Sequence, residues 1–215
     1  MTTVVFDGYV LAADKRGTVM GSERACEHCN KISKEASDSF NKIIIPEKDI
    51  FYKGEKVVVF SMAGLSSFHN AIVKVLKYFN DFNDLIDCCV HLHGMESQQI
   101  ILVCEETAYV IKPIKKSMRK SGKFGLAIES VKYKEDLNDN GFMCVGSGFP
   151  YVKMARDMLD IKAADLIKLV SKYDSGTSPD CDTFVVREYP TQSEKQKAPT
   201  NKSTTKSTNK KVTKK

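Results

Sequence analysis

The chain opens MTTVVFDGYVLAADKRGT (Met1–Thr18). Thr3–Phe6 and Tyr9–Ala13 are apolar and β-prone, and the Asp7-Gly8 dipeptide between them is a type I′ hairpin signal. Pairing across a two-residue Asp7-Gly8 turn sets Phe6 opposite Tyr9, Val5 opposite Val10, Val4 opposite Leu11 and Thr3 opposite Ala12. Thr2 then faces Ala13, and Asp14 lies one step further on. A hairpin in this register returns a carboxylate to the start of the chain.

Beyond that hairpin, the 215 residues divide by composition. Residues 188–215 hold eight lysines against Glu188 and Glu194, with Ser, Thr, Asn and Pro making up most of the rest. Such a segment buries too little apolar surface to offset chain entropy, so a disordered basic tail is expected there. The formal charge of +6 resides wholly in it, because residues 1–187 hold 25 basic and 25 acidic side chains. Residues 1–187 are enough for one well-buried domain. A basic tail fits nonspecific contact with nucleic acid or another polyanion, or simple solubilisation. No run of about 18 apolar residues predicts a membrane span. No basic segment followed by an apolar core predicts export. The seven cysteines are therefore expected as reduced thiols in a cytoplasmic protein.

The patterning continues with β-rich runs at 43–45 and 57–62, separated by a charged hairpin-like stretch around Lys53-Gly54. Residues 66–79 form an amphipathic helix with Phe68, Ile72, Val75, Leu76 and Phe79 on one face. Further helical character is expected over 81–90. Strands follow at 99–104, 107–111, 125–132 and 142–145. Gly146-Ser147-Gly148 precedes helices at 150–159 and 162–173, and Asp182–Glu188 is the last strand. Runs of strands followed by runs of helices predict an α+β layered fold with mixed or antiparallel sheets. No internal repeat of 20–50 residues is present.

Thr2 carries the first chemical reading. A hydroxyl is a weak nucleophile unless a base takes its proton. If Met1 is removed, Thr2 supplies both hydroxyl and α-amine, whose reference pKa of about 8 suits a base. A lysine nearby would keep that amine's pKa low, and a carboxylate would hold the lysine. Asp14 comes into place by the hairpin, and Lys42 opens the next strand.

With these residues in order, the chain resembles the proteasome β-subunit family of N-terminal nucleophile (Ntn) hydrolases, which includes the bacterial two-component ATP-dependent peptidase. The matching segments are Thr2-Thr3, Asp14-Lys15-Arg16-Gly17-Thr18, Lys42-Ile43-Ile44-Ile45, Phe60–Gly64 (FSMAG), Gly146-Ser147-Gly148 leading into a helix, and Asp174 to Thr177 before the last strand. Together they span residues 2 to about 188 in the family's order. The first hairpin is shorter than in cellular members, as in phage-encoded proteasome-like proteins. The stretch from Thr18 to Lys42 and the excursion 46–56 are longer than usual, and Lys34 and Lys31 remain alternatives to Lys42. The resemblance implies a four-layer αββα sandwich. It implies Thr2 as nucleophile and amine base, Asp14 and Lys42 as its tuning pair, and the Gly64 N–H at the oxyanion. Ser147, Asp174 and Thr177 would support the proton network. It also implies a polypeptide substrate, a homo-oligomeric ring, an unfoldase partner and no cofactor. A catalytically inactive scaffold or binding protein of the same fold is the alternative.

Other patterns carry less. Cys26, His28 and Cys29 resemble half a zinc knuckle, and Cys88, Cys89, His91 and His93 could complete four ligands, but the spacing matches no standard finger, so no metal is expected. His69 lies near the apolar face of its helix and reads as packed or exposed. No Walker A pattern or Gly-x-Ser-x-Gly elbow occurs.

Overall fold

The computed structural model describes residues 2–18, 36–37, 41–64, 66–93, 98–114, 125–134, 141–159 and 161–189. Met1, Lys31, Lys34, the Cys26/His28/Cys29 group and the tail from residue 190 lie outside these residues, as do the side chains of Cys89, His91 and His93.

Strands β1 (Thr3–Asp7) and β2 (Val10–Asp14) form the expected hairpin, but their register is displaced by two residues. Val4 pairs with Ala13, Val5 with Ala12 and Phe6 with Leu11. The cause is the Asp7 side chain. Its Oδ1 accepts hydrogen bonds from Tyr9 N (3.0 Å) and Val10 N (2.8 Å), so the carboxylate takes over the role of the turn carbonyl. Asp7 stays in the strand, and the bend centres on Gly8-Tyr9, with Gly8 at φ 88°. A displacement of two preserves which face each side chain occupies. It brings Asp14 level with Thr3 rather than one step past Thr2.

A two-residue turn with both central residues at positive φ does occur, at Lys53 (φ 52°) and Gly54 (φ 85°). It joins β6 (Phe51–Tyr52) to β7 (Glu55–Ala63). The Glu55 carboxylate fastens this hairpin by accepting from Thr107 N and Thr107 Oγ1 at 2.9 and 2.7 Å.

The remaining elements follow in chain order. They are β3 (Gly17–Thr18), β4 (Ala36–Ser37), β5 (Ile43–Ile44), α1 (Ser66–Val75), α2 (Phe82–His93), β8 (Gln99–Cys104), β9 (Ala108–Ile114), β10 (Gly125–Val131), β11 (Phe142–Gly146), α3 (Phe149–Met158), α4 (Ala163–Val170) and β12 (Cys181–Val185). The helix expected over 66–79 divides after Val75, and Leu76–Tyr78 form a 3-10 turn. The last strand ends at Val185, short of the expected Glu188.

The named strand pairs are antiparallel. One sheet has the order β11-β1-β2-β12, a second has β10-β9-β8-β7-β5 with β6 on β7, and β3 pairs with β4. The fold is thus mixed α/β, with antiparallel sheets and four α-helices among the described residues.

Alternation along β1 explains why its sequence is apolar throughout. Val4 and Phe6 join Val59, Ala63, Ile101 and Val103 of the second sheet in one buried cluster. Val5 faces the other way, onto Val152, Leu166, Ile167 and Val170 of α3 and α4. A third cluster unites Phe60, Ile100 and Leu102 with Phe68, Ile72 and Leu85 of α1 and α2. A strand covered on both faces cannot afford a polar alternation.

Asp7 also joins distant parts. Its Oδ2 accepts from Ala163 N at the start of α4 (2.9 Å) and from Tyr189 OH (2.6 Å). Tyr189 stacks on Tyr9 with ring centroids 4.9 Å apart, so packed structure extends two residues past position 187. Asp7→Ala would leave these buried donors without an acceptor, at a cost of about 2–4 kcal/mol. A thermal unfolding scan should show Tm lowered by roughly 5–15 °C, and a change under about 2 °C would contradict this role.

Candidate functional site

The site is built where the start of β1, the end of β2 and the approach to β5 converge. Asp14 is fully buried, and its carboxylate draws three elements together. Oδ2 accepts the Thr3 N–H at 2.6 Å. Oδ1 accepts the Arg16 N–H at 2.8 Å and the Lys42 ammonium at 2.9 Å. Lys42 is only 3% exposed, and its Nζ also donates to the Arg16 carbonyl at 2.6 Å. The Arg16 side chain fixes that turn by donating to Ser175 O at 2.7 Å. The buried charge pair therefore has its hydrogen bonds satisfied, the condition under which such a pair is tolerated.

Thr2, itself buried, is anchored by its backbone. Its carbonyl accepts the Ser147 N–H at 3.0 Å. Gly146 lies against the same carbonyl so closely that a Cβ there would collide with Thr2 O, and it would also come within 3.3 Å of Ala63 Cβ. With φ 102°, position 146 excludes a side chain on two counts. Ala63, the last residue of β7, therefore lies beside Gly146 near the start of β1, and Gly64 follows it in the chain.

A second network lies behind Thr3. Gly148 N donates to Thr3 Oγ1 at 3.1 Å, and Thr3 Oγ1 sits 2.6 Å from Thr177 Oγ1. Thr177 Oγ1 gives its proton to Asp174 Oδ2 at 2.7 Å, so Thr3 must be the donor to Thr177. Ser147 Oγ donates to the same Asp174 oxygen at 2.6 Å, and Gly176 N donates to Oδ1 at 3.0 Å. Burial pushes the Asp174 carboxyl up, but these hydrogen bonds outweigh it and hold its pKa below the ordinary value.

The structure thus brings together Thr2, Asp14, Lys42, Ser147, Asp174 and Thr177, with Gly64 at the adjoining strand end. Thr3 and Arg16 were read as sequence matches only, yet Thr3 links both networks and the Arg16 carbonyl holds Lys42. The signal for Thr3 lay in the register: displaced by two, it sets Thr3 opposite Asp14, whereas the expected pairing set Thr3 opposite Ala12. His69 is buried. Burial, with the Lys42 charge behind it, holds its imidazole below the ordinary value. Among the described residues, no group of three or more His, Cys, Asp or Glu is arranged to hold a metal ion. Cys88, Cys104, Cys144 and Cys181 are free thiols. No described helix is long and apolar enough to cross a membrane.

No family model matches the sequence, and no curated protein matches it. Solved structures do match the fold. Anbu from Hyphomicrobium sp. strain MC1 is 18% identical, with a TM-score of 0.50, covering 86% of this chain and 81% of its own. Anbu (ancestral beta-subunit) from Yersinia bercovieri is 11% identical, with a TM-score of 0.47, covering 86% and 80%. The Hyphomicrobium likeness shows that this chain shares the fold of that Anbu protein.

The lowered Asp174 pKa has a definite sign. Its contribution to stability is complete above the ordinary carboxyl value of 3.8 and is lost as pH falls through the depressed one. Asp174→Asn should therefore melt below wild type at pH 7. The gap should close as pH is lowered from about 5 toward the acid limit of folding, as read by Tm against pH.

Proposed function

We propose that the protein is a threonine-type Ntn hydrolase that cleaves peptide or amide bonds. The observation that carries this reading is the buried Asp14 carboxylate, which meets the Lys42 ammonium on one oxygen and the Thr3 N–H, next to Thr2, on the other. The three buried clusters support a four-layer αββα sandwich, with two sheets face to face and two helices outside each.

Removal of Met1 makes the Thr2 nitrogen a free α-amine. The Thr2 Oγ attacks the scissile carbonyl carbon while the amine takes the hydroxyl proton. The cationic Lys42 disfavours a charged amine and so keeps it basic and neutral, and Asp14 fixes Lys42 in position. The Gly64 N–H donates to the oxygen that becomes negative, a contribution worth roughly 3–4 kcal/mol of barrier. The tetrahedral species collapses, the amine proton passes to the leaving nitrogen, and an ester to Thr2 remains. Water, deprotonated by the same amine, hydrolyses that ester to a free carboxylate and restores Thr2. Asp174, Ser147 and Thr177 hold the surrounding hydrogen bonds in one direction. Assembly as a homo-oligomeric ring acting on polypeptide, with an unfoldase, belongs to the same reading.

Intact-mass spectrometry of the purified chain should show loss of Met1. Fluorogenic peptides should be hydrolysed by wild type and not by Thr2→Ala, whose Tm should stay within about 3 °C of wild type. Retention of Met1 with no turnover would overturn the mechanism and leave an inactive proteasome-like scaffold. Full activity in Thr2→Ala would remove Thr2 as the nucleophile.

A further inference from the structure

Gly64 has an unusual neighbour. It directly follows β7, in the left-handed region at φ 147°, and β7 pairs with β8 so that Ala63 is level with Gln99. The next pair in that register is Gly64 with Gln98. The Gln98 carboxamide occupies the space that a side chain at position 64 would take, with Nε2 2.8 Å from where a Cβ would stand. Gln98 is 1% exposed, and its Nε2 is buried with no hydrogen-bond partner among the described residues. Buried amide donors are seldom left this way, so a function for the placement is called for. The adjacent Gln99 points to the opposite face, as strand alternation requires. Its Oε1 accepts the Gly146 N–H at 3.2 Å, on the glycine that abuts the Thr2 carbonyl.

We propose that Gln98 is a positioning residue for the Gly64 N–H, its carboxamide wedged against the glycine so that the peptide points at the oxyanion. This rests on the threonine-hydrolase reading above. A glycine in open space has a wide choice of φ. Filling the one direction in which position 64 lacks a side chain removes that choice. A methyl at position 64 would have to displace the Gln98 amide, on top of the strain of its φ of 147°.

The test uses full-length chain and has two arms. In the first, Gln98→Ala should lower kcat by about tenfold or more with KM within about twofold, since the oxyanion contact strengthens only in the transition state. Affinity for a peptide boronate should fall by a similar factor, because its adduct with Thr2 places an oxygen at that position. Gln98→Met, which keeps the volume, should retain kcat within about threefold. In the second arm, Gly64→Ala should lower Tm, and adding Gln98→Ala should restore part of the loss, which reads the wedge without any activity. An active wild type whose Gln98→Ala variant keeps its kcat and boronate affinity overturns this inference alone. So does additivity of the two substitutions in Tm. A wild type with neither turnover nor boronate affinity overturns the hydrolase reading, and this inference with it.

Discussion

A carboxylate with no solvent exposure sits at the junction of three segments, with donors on both of its oxygens. Asp14 obtains them from the first strand, from the turn after the second, and from Lys42 ahead of the strand beginning at Ile43. Removing one partner of such a buried pair leaves an uncompensated charge, at about 3–5 kcal/mol. The same interaction that the proposed chemistry relies on therefore also holds the strand ends together. The price of this economy is that the site has little freedom to change without loosening the fold.

Around that charge the backbone is brought unusually close. Gly146 touches the Thr2 carbonyl, and Gly148 touches Thr3 and Val170. The hydroxyls of Thr3 and Thr177 line up toward Asp174, which has room for no reversed arrangement once Thr177 gives its only proton to the carboxylate. The result is a fixed donor direction running from Gly148 N through two hydroxyls to an acid. Such one-way chains polarise each member in the same sense.

Much of this was legible in the order of residues, but for unequal reasons. The first hairpin declared itself through two apolar runs and an Asp-Gly dipeptide. Its register did not, because the I′ expectation treats Asp7 as a turn residue. In the structure Asp7 remains paired with Phe142, and while one carboxylate oxygen serves the turn, the other meets Ala163 and Tyr189, both more than 150 positions away. No local pattern carries that information. Lys53-Gly54 took the two-residue turn instead, with a lysine at positive φ where none would be chosen on propensity. Lys42 was read only by its place at a strand's edge, since the spacing to Gly64 departs from the family's. Its burial against Asp14 is a tertiary fact. Gln98 gave no signal at all. A single glutamine before an apolar strand is unremarkable until the neighbouring glycine is seen to need it.

The clasp of Tyr189 on Tyr9 and Asp7 has a practical consequence for handling the molecule. The first strand runs five residues from Thr3 to Asp7, or roughly 17 Å at the usual rise. The described residues thus begin and end at opposite ends of one strand. A purification handle or fluorophore attached after Tyr189 starts a strand's length from Thr2. Anything fused ahead of Thr2 would have to share the crowded space where its carbonyl already meets Ser147 and Gly146.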